Sequence, residues 1–239
     1  MTPGAVQRYA DARGRILTAA SRRVPLASIA QQARALSLWD GKRVVPGDEL
    51  QLALVLDLGV LDPLGGHGRG IDRQAKADPP VPGSDDARML AALQDAVFGL
   101  FRLRGPHPEG GASAEEFPGG EPVHIRDAFL GQQPPGRLIG ARLAWPEDDV
   151  AMTCGAVSPI DSRVLERLLL GLPPARGPVA PRLPAPEEDE PAVAELLDDP
   201  AARARLATLP RTPGFAALAY RAAIDFGLLG AVPGRTPSA

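Results

Sequence analysis

Four short runs between residues 99 and 157 decide how this chain folds: LFRLR (100–104), PVHIR (122–126), LIGARLA (138–144) and VAMTCGAV (150–157). Each is apolar-rich, and glycine, proline and acidic residues separate them. Runs of this length bounded by turn formers predict β-strands, and a succession of them predicts a small antiparallel meander or a partly open barrel. In the second run, alternation with period two puts Val123, Ile125 and Asp127 on one side and His124 and Arg126 on the other.

Helical periodicity lies on both sides of these runs, so the fold class is α+β. Upstream, residues 1–62 read as a helical unit. Helices are predicted over 5–22, over Leu26–Leu38 behind Pro25, and over 49–61 behind Asp48 as N-cap. The third helix is apolar nearly all round, which predicts burial on several sides. Residues 63–83 read as a flexible polar loop. Its glycines lack the preceding strand and following helix that a phosphate cradle needs. Ser84 caps a helix that leads into the β module, and Ser162–Leu170 closes that unit (84–171) before Gly171. Residues 172–189 hold six prolines and end in an acidic run, the composition of a linker. Residues 190–239 read as a helical tail with helices near 191–198, 201–208 and 213–229, the last capped by Thr212. The last helix carries Phe215, Leu218, Ala222, Phe226 and Leu229 on one face, and that face must dock. It is expected to pack on the chain's own N-terminal helices or to serve as a docking face for a partner.

Composition narrows the function classes. Of 26 basic residues only Lys42 and Lys76 are lysine, and asparagine is absent. A GC-rich coding bias explains that pattern without any nucleic-acid role. Net charge is −3 but uneven: residues 1–43 carry eight basic and two acidic side chains, whereas residues 84–171 carry eight and thirteen. Contact between these segments, within the chain or in a homo-oligomer, accounts for the imbalance as well as an external partner does. The single cysteine, Cys154, rules out an internal disulfide and a multi-cysteine zinc site. Met1 to Arg15 has no apolar run of the secretory kind. The greasiest stretch, Leu50–Leu61, would rise only about 18 Å as a helix, against a bilayer core of about 30 Å. A soluble, cytoplasmic protein is expected.

Residues 99–160 resemble a small β module of uncharacterised bacterial proteins, some of which carry a C-terminal SEC-C metal-binding motif. The residues that carry the resemblance are the Leu100–Arg104 strand, the acidic and glycine turn through Glu115–Glu121, EPVHIRD (121–127), RLIGARL (137–143) behind Pro-Gly, and CGAVSPID (154–161). The resemblance implies a fold element and no activity. The Cys-rich tail of the SEC-C proteins is absent, so it implies no zinc.

Chemistry is sparse in the sequence. His67, His107, His124 and Cys154 are far apart in sequence and show no local metal-ligand spacing, so no metal or other cofactor is expected. His124 and Asp127 sit at an odd offset on a strand and do not make a His–carboxylate pair. Cys154 lies in an apolar run and is expected to be buried and inert. Asp85-Asp86, Glu115-Glu116 and Asp148-Asp149 read as solvated decoration. The expected function is therefore a non-enzymatic protein-interaction or scaffold role. One alternative is an enzyme with a dispersed site near His107, Arg126 and Asp127. A second is nucleic-acid binding through the basic N-terminal helices. It ranks lower because an acidic β module repels phosphate.

Overall fold

The computed structural model describes residues 3–62, 68–171 and 182–229. Its N-terminal helices are α1 (Pro3–Ser21), α2 (Leu26–Ala35) and α3 (Glu49–Leu61). The Asp48 side chain accepts from the Gln51 N–H and starts α3. This helix is apolar all round because it lies between two cores. Leu54, Val55 and Leu58 belong to one cluster, and Val60 and Leu61 to the other. The second cluster also takes Tyr9, Ala12, Ile16 and Ala20 from α1, at the helical spacing of three and four.

Residues 70–77 form a helix, α4 (Gly70–Ala77), inside the segment expected to be a flexible loop. Ile71 and Gln74 are buried, and Arg69 braces the first turn through Asp72. A Cβ at Gly70 would meet the Ala20 carbonyl oxygen at 2.7 Å, so glycine lets α4 lie against α1. The single apolar anchor Ile71 left this helix without a periodic signature. Ser84 caps α5 (Asp85–Gln94) as its sequence predicts, through the Ala87 N–H.

The strands are β1 (Val97–Pro106), β2 (Ala112–Glu116), β3 (Pro122–Ile125), β4 (Leu138–Glu147), β5 (Val150–Thr153) and β6 (Ser158–Ile160). A short helix, α6 (Ala128–Gly131), joins β3 to β4. β1 pairs antiparallel with β4 along its first half and with β2 along its second, with a register shift between Leu103 and Gly105. β2 pairs antiparallel with β3, β3 pairs parallel with β5 at Ile125↔Ala151, and β5 pairs antiparallel with β4. The result is a closed five-stranded mixed barrel, with β6 added alongside β4. The fold class is α+β as expected, and the small central barrel is closed and mixed where an antiparallel meander or partly open barrel was expected. β4 crosses to the free edge of β1, which leaves β5 to fill the gap beside β3 in the same direction. The inward residues Phe101, Leu103, Val123, Ile125, Ile139 and Leu143 pack with Leu130 of α6 in a third core.

After β6 the chain forms α7 (Ser162–Leu170), with Asp161 as N-cap and Gly171 closing it in the left-handed region. Residues 172–181 of the expected linker lie outside the described residues. The rest of that stretch is not all linker, because α8 (Pro186–Asp198) begins within it. Proline suits its first turn, and Glu187, Glu188 and Asp189 suit its positive end. Then follow α9 (Pro200–Thr208), a 3-10 turn at Leu209–Arg211 and α10 (Phe215–Asp225). Gly214, at φ +79°, caps α10 in place of Thr212.

The apolar face of α10 turns inward on its own chain, against α2, α3, α7 and β6. Phe215, Ala222 and Leu229 are buried and Phe226 is half-buried, while Leu218 is 57% exposed. Phe98 of β1 meets Phe215 and Tyr220 edge-on, with ring centres 5.9 and 5.4 Å apart. This core joins α2, α3, α7 and α10 to the barrel's outer wall, so the units expected from sequence share one interior. Among the described residues, no helix is long and apolar enough to cross a membrane.

Candidate functional site on the uncovered side of the barrel

Helices cover the barrel unevenly. β4 is buried on both faces along most of its length, and β5 is buried throughout. The outward residues of β2 and β3 are not: Ser113, Glu115 and His124 are half-buried and Pro122 is exposed. The β1–β2 connection, residues 107–111, folds over this side. The His107 N–H donates to the Gly111 carbonyl at 3.0 Å, and the Gly110 N–H donates back to the His107 carbonyl at 2.9 Å. Gly111, at φ +81°, has no room for a side chain, because a Cβ would meet the Ile125 carbonyl oxygen at 2.2 Å.

That close approach brings together residues that are distant in sequence. His107 and His124 stack with ring centres 3.3 Å apart and planes 23° apart. His124 Nε2 lies 2.7 Å from the Gly110 carbonyl oxygen, which can only accept. Nε2 therefore carries the proton, and in the neutral ring Nδ1 keeps its lone pair. Burial holds the His124 imidazole below its ordinary pKa, and the Arg126 charge adds to this. The Glu109 N–H donates to His107 Nδ1 at 3.2 Å. Arg126, only 8% exposed at its side chain, donates to the Glu109 carbonyl at 2.8 Å and to Glu109 Oε2 at 2.7 Å. Its guanidinium holds the Glu109 carboxyl below the usual carboxylate range. One nitrogen from each of His107 and His124 and a carboxylate oxygen of Glu109 lie within 4.8 Å of one another.

Of the three residues singled out from sequence, the structure joins two. His107 and Arg126 meet through Glu109, whereas Asp127 points elsewhere. Its Oδ1 accepts from the N–H groups of Phe129 and Leu130 and so caps α6, and its Oδ2 accepts from the Thr153 hydroxyl at 2.6 Å. His124 and Asp127 diverge, as their odd offset implies. Glu109 escaped the sequence reading. Its signal was the PEGG turn, whose meaning depends on which strand lies beneath it. His67 lies outside the described residues.

A second polar group is interior. Tyr220 Oη lies 2.8 Å from Asp57 Oδ2 and 2.9 Å from the Ala156 carbonyl oxygen. Arg142, 5% exposed, pairs with Asp62 at 3.1 Å. Cys154 is buried, and burial pushes its thiol up to about 12, so it is inert as expected. Two clefts lie on the other side of β1. One, of about 130 Å³, is lined by Val97, Phe101, Phe117 and Trp145. The other, of about 370 Å³, is lined by Asp62, Arg142, Arg211 and Phe215. Neither reaches His107, Arg126 or Asp127. Arg8 and Arg15 of the basic N-terminal segment pair with Asp85 and Asp86 of α5, both at 2.7 Å. Searches of protein-family models, of curated proteins and of solved structures find no match to this chain.

Proposed function

We propose that the chain is a non-enzymatic binding protein that presents the β2–β3 side of its barrel, with the 107–111 loop, to a protein partner. One observation carries this reading. β4 along most of its length and β5 throughout are buried on both faces, whereas the outward residues of β2 and β3 remain accessible. The strand order β1-β2-β3-β5-β4 closing on β1, with a helix between β3 and β4, has the connectivity of an OB barrel. In such barrels strands 2 and 3 and the neighbouring loops hold ligands. Connectivity alone assigns no function, so the weight rests on the exposed face.

The charges on this side favour a protein over a nucleic acid. Arg104 pairs with Glu115, Arg126 with Glu109 and Arg102 with Glu190. A phosphate backbone would have to displace each carboxylate. Of the groups weighed for catalysis, Asp127 caps a helix and Cys154 is buried.

The test places a photo-crosslinking side chain at Ser113 on the exposed face, or at Ala204 on α9, in the full chain exposed to native extract. A discrete adduct from position 113 that Arg126→Glu weakens is the expected result. Adducts from position 204 alone, or from neither position, would refute the reading.

A further inference from the structure

We propose that His107, His124 and Glu109 form a binding site for a divalent transition-metal ion of the zinc type. This goes beyond the partner-binding reading and stands without it. Two imidazole nitrogens and a carboxylate oxygen are the donor set such ions favour over calcium or magnesium, which take oxygen. The three donor atoms lie within 4.8 Å of one another. Around a tetrahedral ion with bonds of about 2.0–2.1 Å, ligand atoms sit about 3.3 Å apart. The donors therefore need to close by at most about 1.5 Å, a movement that side-chain rotation can supply.

The surroundings prepare two of the donors. The Gly110 carbonyl fixes the His124 proton on Nε2, so Nδ1 offers its lone pair outward from that bond. Arg126 holds Oε2 of Glu109 and thereby orients the carboxylate. For His107 the Glu109 N–H leaves Nδ1 as the lone-pair nitrogen, and a metal would replace that 3.2 Å contact. With the ring planes 23° apart and their centres 3.3 Å apart, the in-plane lone pairs lie in nearly parallel planes, so one ring must swing for both to reach one ion. His107 belongs to the loop and is the ring that moves. Two half-buried histidines and an exposed glutamate leave the site open to solvent, with a position for water as fourth ligand. Arg126 opposes a dication, but its charge is already balanced by Glu109.

The experiment titrates zinc chloride into the full, chelator-treated chain by calorimetry, with cobalt(II) absorption as a second readout. One zinc per chain is expected, with visible cobalt bands of a four- or five-coordinate site. His124→Ala and His107→Ala should each weaken binding by tenfold or more. Melting of the metal-free variants checks that they fold, and His107→Gln on the exposed loop serves if His124→Ala does not. Absence of saturable zinc binding, or binding unchanged in the histidine variants, overturns the proposal. The crosslinking at Ser113 is read without metal, so either idea can fail alone.

Discussion

Asp57 shows how a single side chain ties the tail to the body. As a residue it is half-buried, but its Oδ1 is out of solvent. A Cβ at Gly155, whose φ is +92°, would come within 1.8 Å of that oxygen, so the carboxyl group rests on a glycine α-carbon. Tyr220 has one hydroxyl proton and faces two oxygens. The hydroxyl donates to Asp57 Oδ2 at 2.8 Å, with the Ala156 carbonyl oxygen as the competing acceptor at 2.9 Å. Burial raises the Asp57 carboxyl from 3.8 to about 6, against the opposing Arg142 charge and Tyr220 hydroxyl. Because the folded value lies above the unfolded one, the native state holds this proton more tightly. The resulting stability is fully present below pH 4 and is lost as pH rises through 6, with an upper bound of about 3 kcal/mol. Asp40, Asp72 and Glu109 are held low and contribute the opposite sign. The difference between wild type and Asp57→Asn therefore isolates this group. Urea midpoints measured from pH 4 to 7.5 should show Asp57→Asn gaining on wild type as pH rises. Parallel profiles would mean that Asp57 is already ionised in the fold.

The 107–111 loop is an element tied down by side chains from β3 and its end, His124 at Gly110 and Arg126 at Glu109. Arg126 reaches from the end of β3 to both the carbonyl and the carboxylate of Glu109. Arg126→Met keeps the buried stem and removes both bonds. Hydrogen exchange at the Gly110 and His107 amides should quicken by tenfold or more, while β4 amides stay protected. Unchanged exchange would show that the glycine turn and His124 hold the loop without Arg126. The same loop marks where sequence reading stops. The caps at Asp48 and Ser84 were legible because a cap and its partner amide lie within three residues. β2 was not, since its ASAEE buries only Ala112 and Ala114 and owes its strand form to pairing with β1 and β3. His107 and His124 were each visible but not together. Their stack depends on β2 separating β1 from β3 and on Gly111 closing over Ile125.

For the molecule as a whole, the basic N-terminal segment meets the acidic 84–171 segment inside the chain, because α1 places Arg8 and Arg15 against the acidic start of α5. The two apolar outer walls of the barrel are likewise met from opposite ends of the chain. Tyr9, Ala12 and Ile16 of α1 share a core with Ala144, Val150 and Met152. Phe215, Tyr220 and Ile224 of α10 share another with Phe98, Leu138 and Ile160. The second of these interfaces is too large to be an accessory. α10 buries eight residues, among them Phe215, Tyr220 and Ile224. Large apolar side chains contribute about 1.5–3 kcal/mol each when fully buried, and a domain's net stability is about 5–15 kcal/mol. A chain ending at Gly171 should therefore lose its cooperative melt. It should keep β-type far-ultraviolet dichroism, because Phe101, Leu103, Ile125 and Leu143 form a core without α10. It should also bind a hydrophobic dye at the uncovered Phe98 wall, with near-ultraviolet signal lost. If the shortened chain melted cooperatively within a few degrees of the full one, α10 would be a tethered addition to a body that is complete without it.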